Sequence, residues 1–236
     1  MIVCKIWRKL FVISLKNAGF SYGERAILKD VNQELEAGSF HFLTGPSGAG
    51  KTTLLKMCYL SLLPNSGSVD VLGQDVTALS REQISQMRRR IGVVHQDCQF
   101  LNHLTIRQNI ALPLLVAGKN IEDNMENLED LLSWVDLSHR ADAFPEEISG
   151  GERQRLALAR AVIMDPDIIV ADEPTGNVDW EMGQRVLTLL VELNKMGKTI
   201  LLATHDLNLI RSIKGRVPAA VLRLKAGQLS LAGAKL

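Results

Sequence analysis

One eight-residue segment, Gly45-Pro-Ser-Gly-Ala-Gly-Lys-Thr52, constrains the fold of this chain more than any other feature. Its spacing is G-x-x-x-x-G-K-[ST], in which the backbone N–H groups of a glycine-rich turn surround phosphate oxygens. The segment S-F-H-F-L-T at 39–44 before it predicts a buried strand, and the run 51–63 after it predicts a helix. A turn in this position aims its amides and the dipole of the following helix at an anion. The chain is therefore expected to bind a nucleoside triphosphate.

Two acids after a second apolar run are expected to complete this site. The run 168–171 contains only apolar residues and predicts a buried strand of a parallel sheet. Asp172 and Glu173 follow directly, at the carboxyl end where open α/β sheets bind ligands. Lys51 is expected to neutralise the β- and γ-phosphates, and Thr52 to place its hydroxyl on Mg²⁺. Asp172 is expected to hold the same ion through water, and Glu173 to act as general base on the attacking water.

The residues I-S-G-G-E at 148–152 indicate which kind of nucleotide-binding protein this is. Ser149 and Glu152 have the spacing of a capping box at the start of a helix predicted over 153–164. Capping explains the serine and the glutamate. It does not explain the two glycines between them, which weaken a helix start but open its amides to an anion. Together with the two preceding motifs, this segment resembles the signature of ATP-binding cassette (ABC) ATPases.

This resemblance extends over about residues 12–212 and implies roles for further side chains. Tyr22 resembles the aromatic residue that stacks on adenine, with an ordinary core or turn tyrosine as the alternative. Gln96 resembles the Q-loop glutamine that contacts Mg²⁺ and the attacking water. Asp179 ends a T-G-N-V-D segment that resembles the D-loop, which lines the interface between two cassettes. His205 follows an apolar run and resembles the switch histidine that contacts the γ-phosphate.

The expected site therefore has several groups of residues. The catalytic residues are Glu173, His205 and Gln96. ATP is expected to contact Tyr22, Gly45, Pro46, Ser47, Gly48, Ala49, Gly50, Lys51, Thr52 and Thr53. The signature residues Ser149, Gly150, Gly151 and Glu152 are expected to act on the ATP of a second copy, next to Asp179 of the D-loop. Thr52, Gln96 and Asp172 form the expected metal site, so ATP and Mg²⁺ are the expected cofactors.

The resemblance implies the ABC ATPase fold: an α/β P-loop NTPase (RecA-like) core with a parallel sheet, an antiparallel β subdomain and an inserted α-helical subdomain. We expect one ABC ATPase domain over residues 12–236, with the helical subdomain at about 99–164. Residues 1–11 are expected to be an N-terminal extension, either a frayed tail or misassigned start, or a basic amphipathic segment that contacts a membrane. Periodicity predicts, in order, a mostly helical region at 105–147, a helix at 180–196, a strand at 199–203 and a hairpin at 219–231.

Composition excludes several other classes of protein. The 236 residues include 27 Lys and Arg against 26 Asp and Glu, and a net charge of +1 gives no electrostatic reason to expect nucleic acid as a partner. With 46% hydrophobic residues the chain is not of disordered composition. Cys4, Cys58 and Cys98 lie far apart and predict neither a zinc site nor a disulfide framework. No apolar run approaches the roughly 18 residues that span a bilayer, so any membrane contact is expected to be peripheral.

Within the ABC family, A-D-E-P-T-G-N-V-D at 171–179 resembles a branch that contains FtsE-, LolD- and MacB-type ATPases. Ala49 and the segments 110–118 and 202–210 favour the FtsE type, whereas Arg153 is shared with the LolD type. The FtsE type implies an ATP-dependent homodimer at the cytoplasmic face of the bacterial inner membrane. It would be held there by an FtsX-like polytopic partner and would signal to cell-wall hydrolases during cell division. Lipoprotein release or efflux is the alternative, and a soluble, non-transport ABC ATPase is a distant one.

The loop after Gln96 is the expected contact with that partner. It mixes polar groups with the apolar side chains of Phe100, Leu101 and Leu104, which suits a receptor for a short cytoplasmic helix. The alternative is that Phe100 and Leu101 simply pack into the helical subdomain.

Overall fold

The computed structural model describes residues 11–176, 178–213 and 215–232, so the expected extension lies, apart from Phe11, outside the described residues. The strands are β1 (Phe11–Tyr22), β2 (Arg25–Glu36), β3 (Phe40–Thr44), β4 (Ser66–Val71), β5 (Gln74–Asp75), β6 (Ile91–Val94), β7 (Ile168–Asp172), β8 (Thr199–Ala203), β9 (Ala219–Lys225) and β10 (Gln228–Leu231). The α-helices are α1 (Lys51–Cys58), α2 (Arg81–Arg88), α3 (Ile106–Val116), α4 (Met125–Trp134), α5 (Gly150–Val162), α6 (Trp180–Lys195) and α7 (Leu207–Ser212).

A six-stranded sheet in the order β10-β9-β3-β8-β7-β6 forms the centre of the fold. Its strands from β9 to β6 pair in parallel, and β10 turns back antiparallel onto β9. The strands predicted at 39–44, 168–171 and 199–203 are the three central ones, and the predicted hairpin is β9–β10. Because parallel strands end at one edge of a sheet, the residues after β3, β6, β7 and β8 lie along a common edge.

A second sheet in the order β2-β1-β4-β5 is antiparallel and covers one face of this centre. Helix α1 lies between the two sheets, because Leu54 and Met57 share an apolar cluster with Ile13 of β1 and Val170 of β7. Helices α6 and α7 cover the opposite face of the six-stranded sheet, where Leu187 packs with the aromatic residues of β3. The mixed α/β fold with one parallel and one antiparallel sheet is therefore as expected.

Helices α3, α4 and α5 enclose a separate apolar cluster. Leu128, Leu132 and Val135 are buried in it, as the spacing of 3 and 4 predicts, while Leu131 is partly buried. Helix α5 also contributes Leu158 to the cluster beneath the six-stranded sheet, so it connects the helical part with the core. The bounds 99–164 for an inserted subdomain remain a prediction.

Two helices differ from their predicted bounds by three residues or more at one end. Helix α1 ends at Cys58 and not at residue 63, because Leu60 adopts a left-handed conformation (φ 65°) that buries its side chain and breaks the helix. The breaker expected there was the polar segment at 64–67. Helix α5 begins at Gly150, three residues before its predicted start, since the capping serine is Ser149. Among the described residues, no helix combines the length and apolarity needed to cross a membrane.

Candidate active site

The phosphate loop, residues 45–52, joins β3 to α1 and needs glycine at two places for different reasons. A Cβ on Gly45 would lie 2.3 Å from the carbonyl oxygen of Leu224 on β9. Gly50, the residue before α1, has φ 104°, and a Cβ there would lie 2.9 Å from Ile27 of β2. The loop is therefore confined between β9 of one sheet and β2 of the other.

Lys51 is held in place within this loop. Its Nζ donates hydrogen bonds to the carbonyl oxygens of Gly45 (2.9 Å) and Pro46 (3.3 Å) and lies 3.8 Å from Oε1 of Glu173. Its side chain is 9% exposed, so the ammonium group is largely desolvated and directed into the loop. An ammonium group in this position can interact strongly with incoming phosphate charge, because little solvent screens it.

Thr52 and Asp172 meet where the ion is expected. The Thr52 hydroxyl donates a 2.8 Å hydrogen bond to Oδ2 of Asp172, at the end of β7. Burial raises the pKa of Asp172; the Thr52 hydrogen bond opposes this rise and the charge of Glu173 adds to it. A divalent cation would relieve the cost of this buried charge.

The residues present fit Mg²⁺ in their chemistry. Hydroxyl and carboxylate oxygens are the ligands that Mg²⁺ prefers, and it is commonly held by one or two such groups plus phosphates and water. In the described part of the chain, no three His, Cys, Asp or Glu side chains are grouped as a metal site of their own. The site therefore suits an ion that arrives with a polyphosphate, and when bound the ion would neutralise phosphate charge.

Glu173 and His205 face each other across the end of the sheet. Oε2 of Glu173 lies 2.9 Å from Nδ1 of His205, and the Glu173 backbone N–H donates to the carbonyl oxygen of Ala203. Glu173 has φ 45°, an uncommon backbone conformation for a residue other than glycine, and such strain occurs often at functional sites. A cavity of about 500 Å³ opens beside the pair, lined also by Thr175, Gly176, Thr204 and residues 206–208.

The signature segment, residues 149–152, forms the predicted capping box. The Ser149 hydroxyl accepts from the Glu152 N–H, and a Glu152 carboxylate oxygen accepts from the Ser149 N–H at 2.8 Å. This hydrogen bond from Ser149 is the main reason why the pKa of Glu152 lies below its usual value. Gly150 is exposed at the helix start, whereas Gly151 is buried. Gly151 packs so closely against the Met182 side chain of α6 that there is no room for a Cβ.

Sequence reasoning missed this packing role of Gly151.

No hydrogen bond or ion pair among the described residues joins the signature segment to the phosphate loop of the same chain.

Three other expected residues make no hydrogen bond or ion pair with the phosphate loop among the described residues. Gln96 is exposed, two residues after β6, and lines a cleft of about 330 Å³ with Gly150 and Arg153. Tyr22 is half exposed at the end of β1, with its ring edge-on to Phe20. Asp179 is the residue before α6, and its carboxylate accepts from the Met182 N–H at 2.8 Å, which explains this aspartate structurally. Their expected roles towards ATP remain predictions.

Two arginines that sequence reasoning did not place in the site contact the loop after Gln96. Arg153 and Arg160 both lie on α5 and both face Phe100. The sequence does hold a signal for this pair, because a spacing of seven residues places two side chains on the same face of a helix. Of the apolar residues expected to meet a partner, Leu101 is 41% exposed, but Phe100 is partly buried against the core. For Phe100 the alternative of packing inward is therefore correct.

Comparison with known proteins identifies the family. The sequence model described as ABC transporter matches residues 28–176. The cell division ATP-binding protein FtsE of Haemophilus influenzae is 40% identical over 220 residues, which cover 92% of this chain and 99% of that protein. The chain belongs to the FtsE group of ABC transporter ATPases. The FtsE proteins of Escherichia coli K12 (42% identical, 80% of this chain, 85% of that protein) and Bacillus subtilis (38%, 81% and 84%) are also similar.

Solved structures agree with the assignment to the ABC ATPase family. The ATP-binding cassette MJ0796, described as a dimer in a post-hydrolysis state bound to ADP and Pi, matches with a TM-score of 0.83 and 31% identity, over 94% of this chain and 99% of that one. The cassette cbiO1 from Clostridium perfringens matches with a TM-score of 0.84 and 26% identity, over 94% and 88%. The chain is thus an ATPase that binds nucleotide, and the relatives do not favour lipoprotein release.

Proposed function

We propose that this chain is the ATP-hydrolysing subunit of an FtsEX-like complex. In this proposal an FtsX-like polytopic protein holds it at the cytoplasmic face of the bacterial inner membrane. ATP turnover changes the conformation of that partner, which signals to cell-wall hydrolases during division. The convergence of Lys51, Asp172, Glu173 and His205 at one edge of the sheet carries the enzymatic part. The names of the similar proteins support the cellular part.

The site residues have separate tasks in the proposed reaction. The phosphate loop and Lys51 bind the triphosphate, and Thr52 with Asp172 would hold Mg²⁺, with Gln96 as a further ligand. Glu173 accepts a proton from the attacking water as general base. His205 Nδ1 lies 2.9 Å from the Glu173 carboxylate and orients it, and in the doubly protonated imidazolium form the other ring N–H would also donate a hydrogen bond to the γ-phosphate.

A site of this kind requires a second copy of the chain. Helix α5, the signature helix, presents exposed Gly150 next to the capping Ser149. Within the described residues, no hydrogen bond or ion pair joins the signature segment to the phosphate loop of its own chain. Two copies placed head to tail would bring each signature to the other's nucleotide in a closed two-fold arrangement. The similar cassette MJ0796 is described as dimeric with ADP and Pi, which supports this proposal.

The partner is proposed to dock in the groove between β6 and α3. Its apolar wall includes Leu112 and the highly exposed Val116, and Arg89 at its rim is exposed. Leu101 lies in the loop that joins β6 to α3 and presents an exposed apolar side chain. An amphipathic cytoplasmic helix with acidic residues would match this combination of apolar wall and basic rim.

Co-purification with an FtsX-like membrane protein tests the proposal. Leu101→Asp and Val116→Asp should each abolish co-purification without changing ATP binding, since neither side chain lies in the phosphate-binding core. Met196→Asp, a change at an equally exposed apolar residue at the end of α6, is the matched control and should co-purify normally. If Leu101→Asp and Val116→Asp both retain the partner at wild-type yield, the proposed docking site is wrong.

A further inference from the structure

Three consecutive residues after Gln96 are each bound by an arginine of α5. Arg153 Nη2 donates to the carbonyl oxygen of Cys98 at 3.1 Å, and Arg160 Nη1 donates to that of Gln99 at 2.8 Å. The Phe100 ring lies against both guanidinium groups, with centroid distances of 5.2 Å to Arg153 and 4.6 Å to Arg160. The segment 98–100 is therefore fixed to α5 by two charged hydrogen bonds and two cation–π contacts.

Arg153 has a third contact, which extends this connection to the signature. Its Nη1 donates to the carbonyl oxygen of Pro145 at 2.6 Å, in the turn that precedes Ser149. Arg153 also lies only one turn from Gly150, and both line the cleft that contains Gln96. The Arg153 side chain thus contacts both the Gln96 loop (residues 95–105) and the turn before the signature, and Arg153 itself is part of the signature helix α5.

The interface between this loop and the helix contains one poorly satisfied group. Gln154 is 3% exposed and lines the same cleft, yet its Oε1 has no hydrogen-bond partner among the described residues. A buried acceptor without a partner destabilises the arrangement that contains it. A shift of the loop that supplied a donor would therefore be favourable, so a second arrangement of loop and helix is physically reasonable.

We propose that Arg153 and Arg160 are positioning residues that fix the Gln96 loop to the signature helix. When Gln96 engages nucleotide, the loop and α5 then move together, and this motion sets the direction in which Ser149 and Gly150 face the ATP of a second copy. The inference rests on the proposed function, because it assigns the coupling between two parts of that same shared site. It gives Arg153 and Arg160 no contact with ATP.

Turnover should depend on this connection, whereas binding of ATP to one chain should not. Arg153→Gln removes two charged hydrogen bonds and one cation–π contact. Because contacting groups of this kind are coupled, we expect kcat to fall by roughly 10-fold, which corresponds to about 1.4 kcal/mol. The Kd for ATP, measured in the Glu173→Gln background to prevent turnover, should equal that of the Glu173→Gln protein with Arg153 intact.

A double-mutant cycle with Gln96→Ala separates positioning from a merely structural effect. If Arg153 acts through the Gln96 loop, adding Arg153→Gln to Gln96→Ala should lower kcat little further. Fully additive losses in kcat, or a weaker Kd for ATP with unchanged kcat, would overturn the proposal. Arg185→Gln, which removes an exposed pair with Glu181 on α6, is the matched control and should leave kcat unchanged.

Two further variants keep the test decisive. Arg153→Lys retains a cation near Phe100 but cannot reach both carbonyl oxygens, so kcat should lie between those of wild type and Arg153→Gln, with partial rescue. If Arg153→Gln does not fold, as thermal unfolding would reveal, the cycle is run with Arg153→Lys and Arg160→Lys. An inactive wild-type protein would refute the proposed function, whereas an active one with additive losses would refute only this coupling.

Discussion

Replacing Glu173 by glutamine should separate ATP binding from ATP hydrolysis. The amide has nearly the same shape and can still accept a hydrogen bond from His205, which lies 2.9 Å from Oε2. It cannot accept a proton from water at neutral pH. The phosphate-binding contacts do not use Glu173, because Lys51 is held by Gly45 and Pro46, and Thr52 by Asp172. Only the chemical step should therefore suffer.

The size of the effect follows from the role assigned to the carboxylate. General-base catalysis contributes about 10²–10⁴-fold, or roughly 3–5 kcal/mol of transition-state stabilisation. The change also removes a negative charge 3.8 Å from Lys51 Nζ, which leaves that ammonium group freer to bind phosphate. Affinity for ATP should consequently be unchanged or tighter, while kcat falls at least about 100-fold.

Phosphate release at saturating ATP and Mg²⁺ measures the chemical step, and a fluorescent ATP analogue measures affinity. Glu181→Gln, at an exposed acid in the first turn of α6, is the matched control and should retain full turnover. Release of phosphate by Glu173→Gln at the wild-type rate would show that Glu173 is not the base. A large loss of ATP affinity would instead assign it a binding role.

The remaining predictions concern the phosphate loop and the signature. Lys51→Ala should weaken ATP binding itself, as equilibrium titration would show, because no other ammonium group hydrogen-bonds to the loop carbonyls among the described residues. Gly45→Ala should destabilise the fold by about 1–3 kcal/mol in chemical denaturation, since its Cβ would meet the Leu224 carbonyl oxygen. Glu152 has a lowered pKa, so it stabilises the fold at neutral pH and loses this effect as the pH falls through that pKa. The unfolding free energies of wild type and Glu152→Gln should therefore differ at pH 7 and converge in acid.

The centre of the fold was predictable because its signals are local. Short apolar runs predicted β3, β7 and β8, and the glycine-rich turn and the paired acids directly follow two of them. Since parallel strands end together, sequence alone could bring Lys51, Asp172, Glu173 and His205 to one edge. The capping box at Ser149 was predictable for the same reason, because its two partners are three residues apart.

What sequence reasoning missed depends on contacts between distant segments. Gly151 is a glycine partly because Met182 packs on it, and nothing near residue 151 reveals that neighbour. Phe100 and Leu101 are adjacent and similarly apolar, but only Phe100 meets the guanidinium groups of α5 and turns inward. The early end of α1 likewise depends on the burial of Leu60, a tertiary effect that overrides helix propensity.

Mixing two inactive variants tests the central claim, a hydrolytic site shared by two copies, most directly. Lys51→Ala removes the phosphate-binding lysine but leaves the signature intact. Gly150→Asp places a negative charge at the exposed start of α5 but leaves the phosphate loop intact. Each protein alone should be almost inactive in phosphate release, whereas an equimolar mixture should recover up to about a quarter of wild-type activity, because half of the dimers then contain one complete site. No recovery on mixing, or full activity of Gly150→Asp alone, would contradict the account.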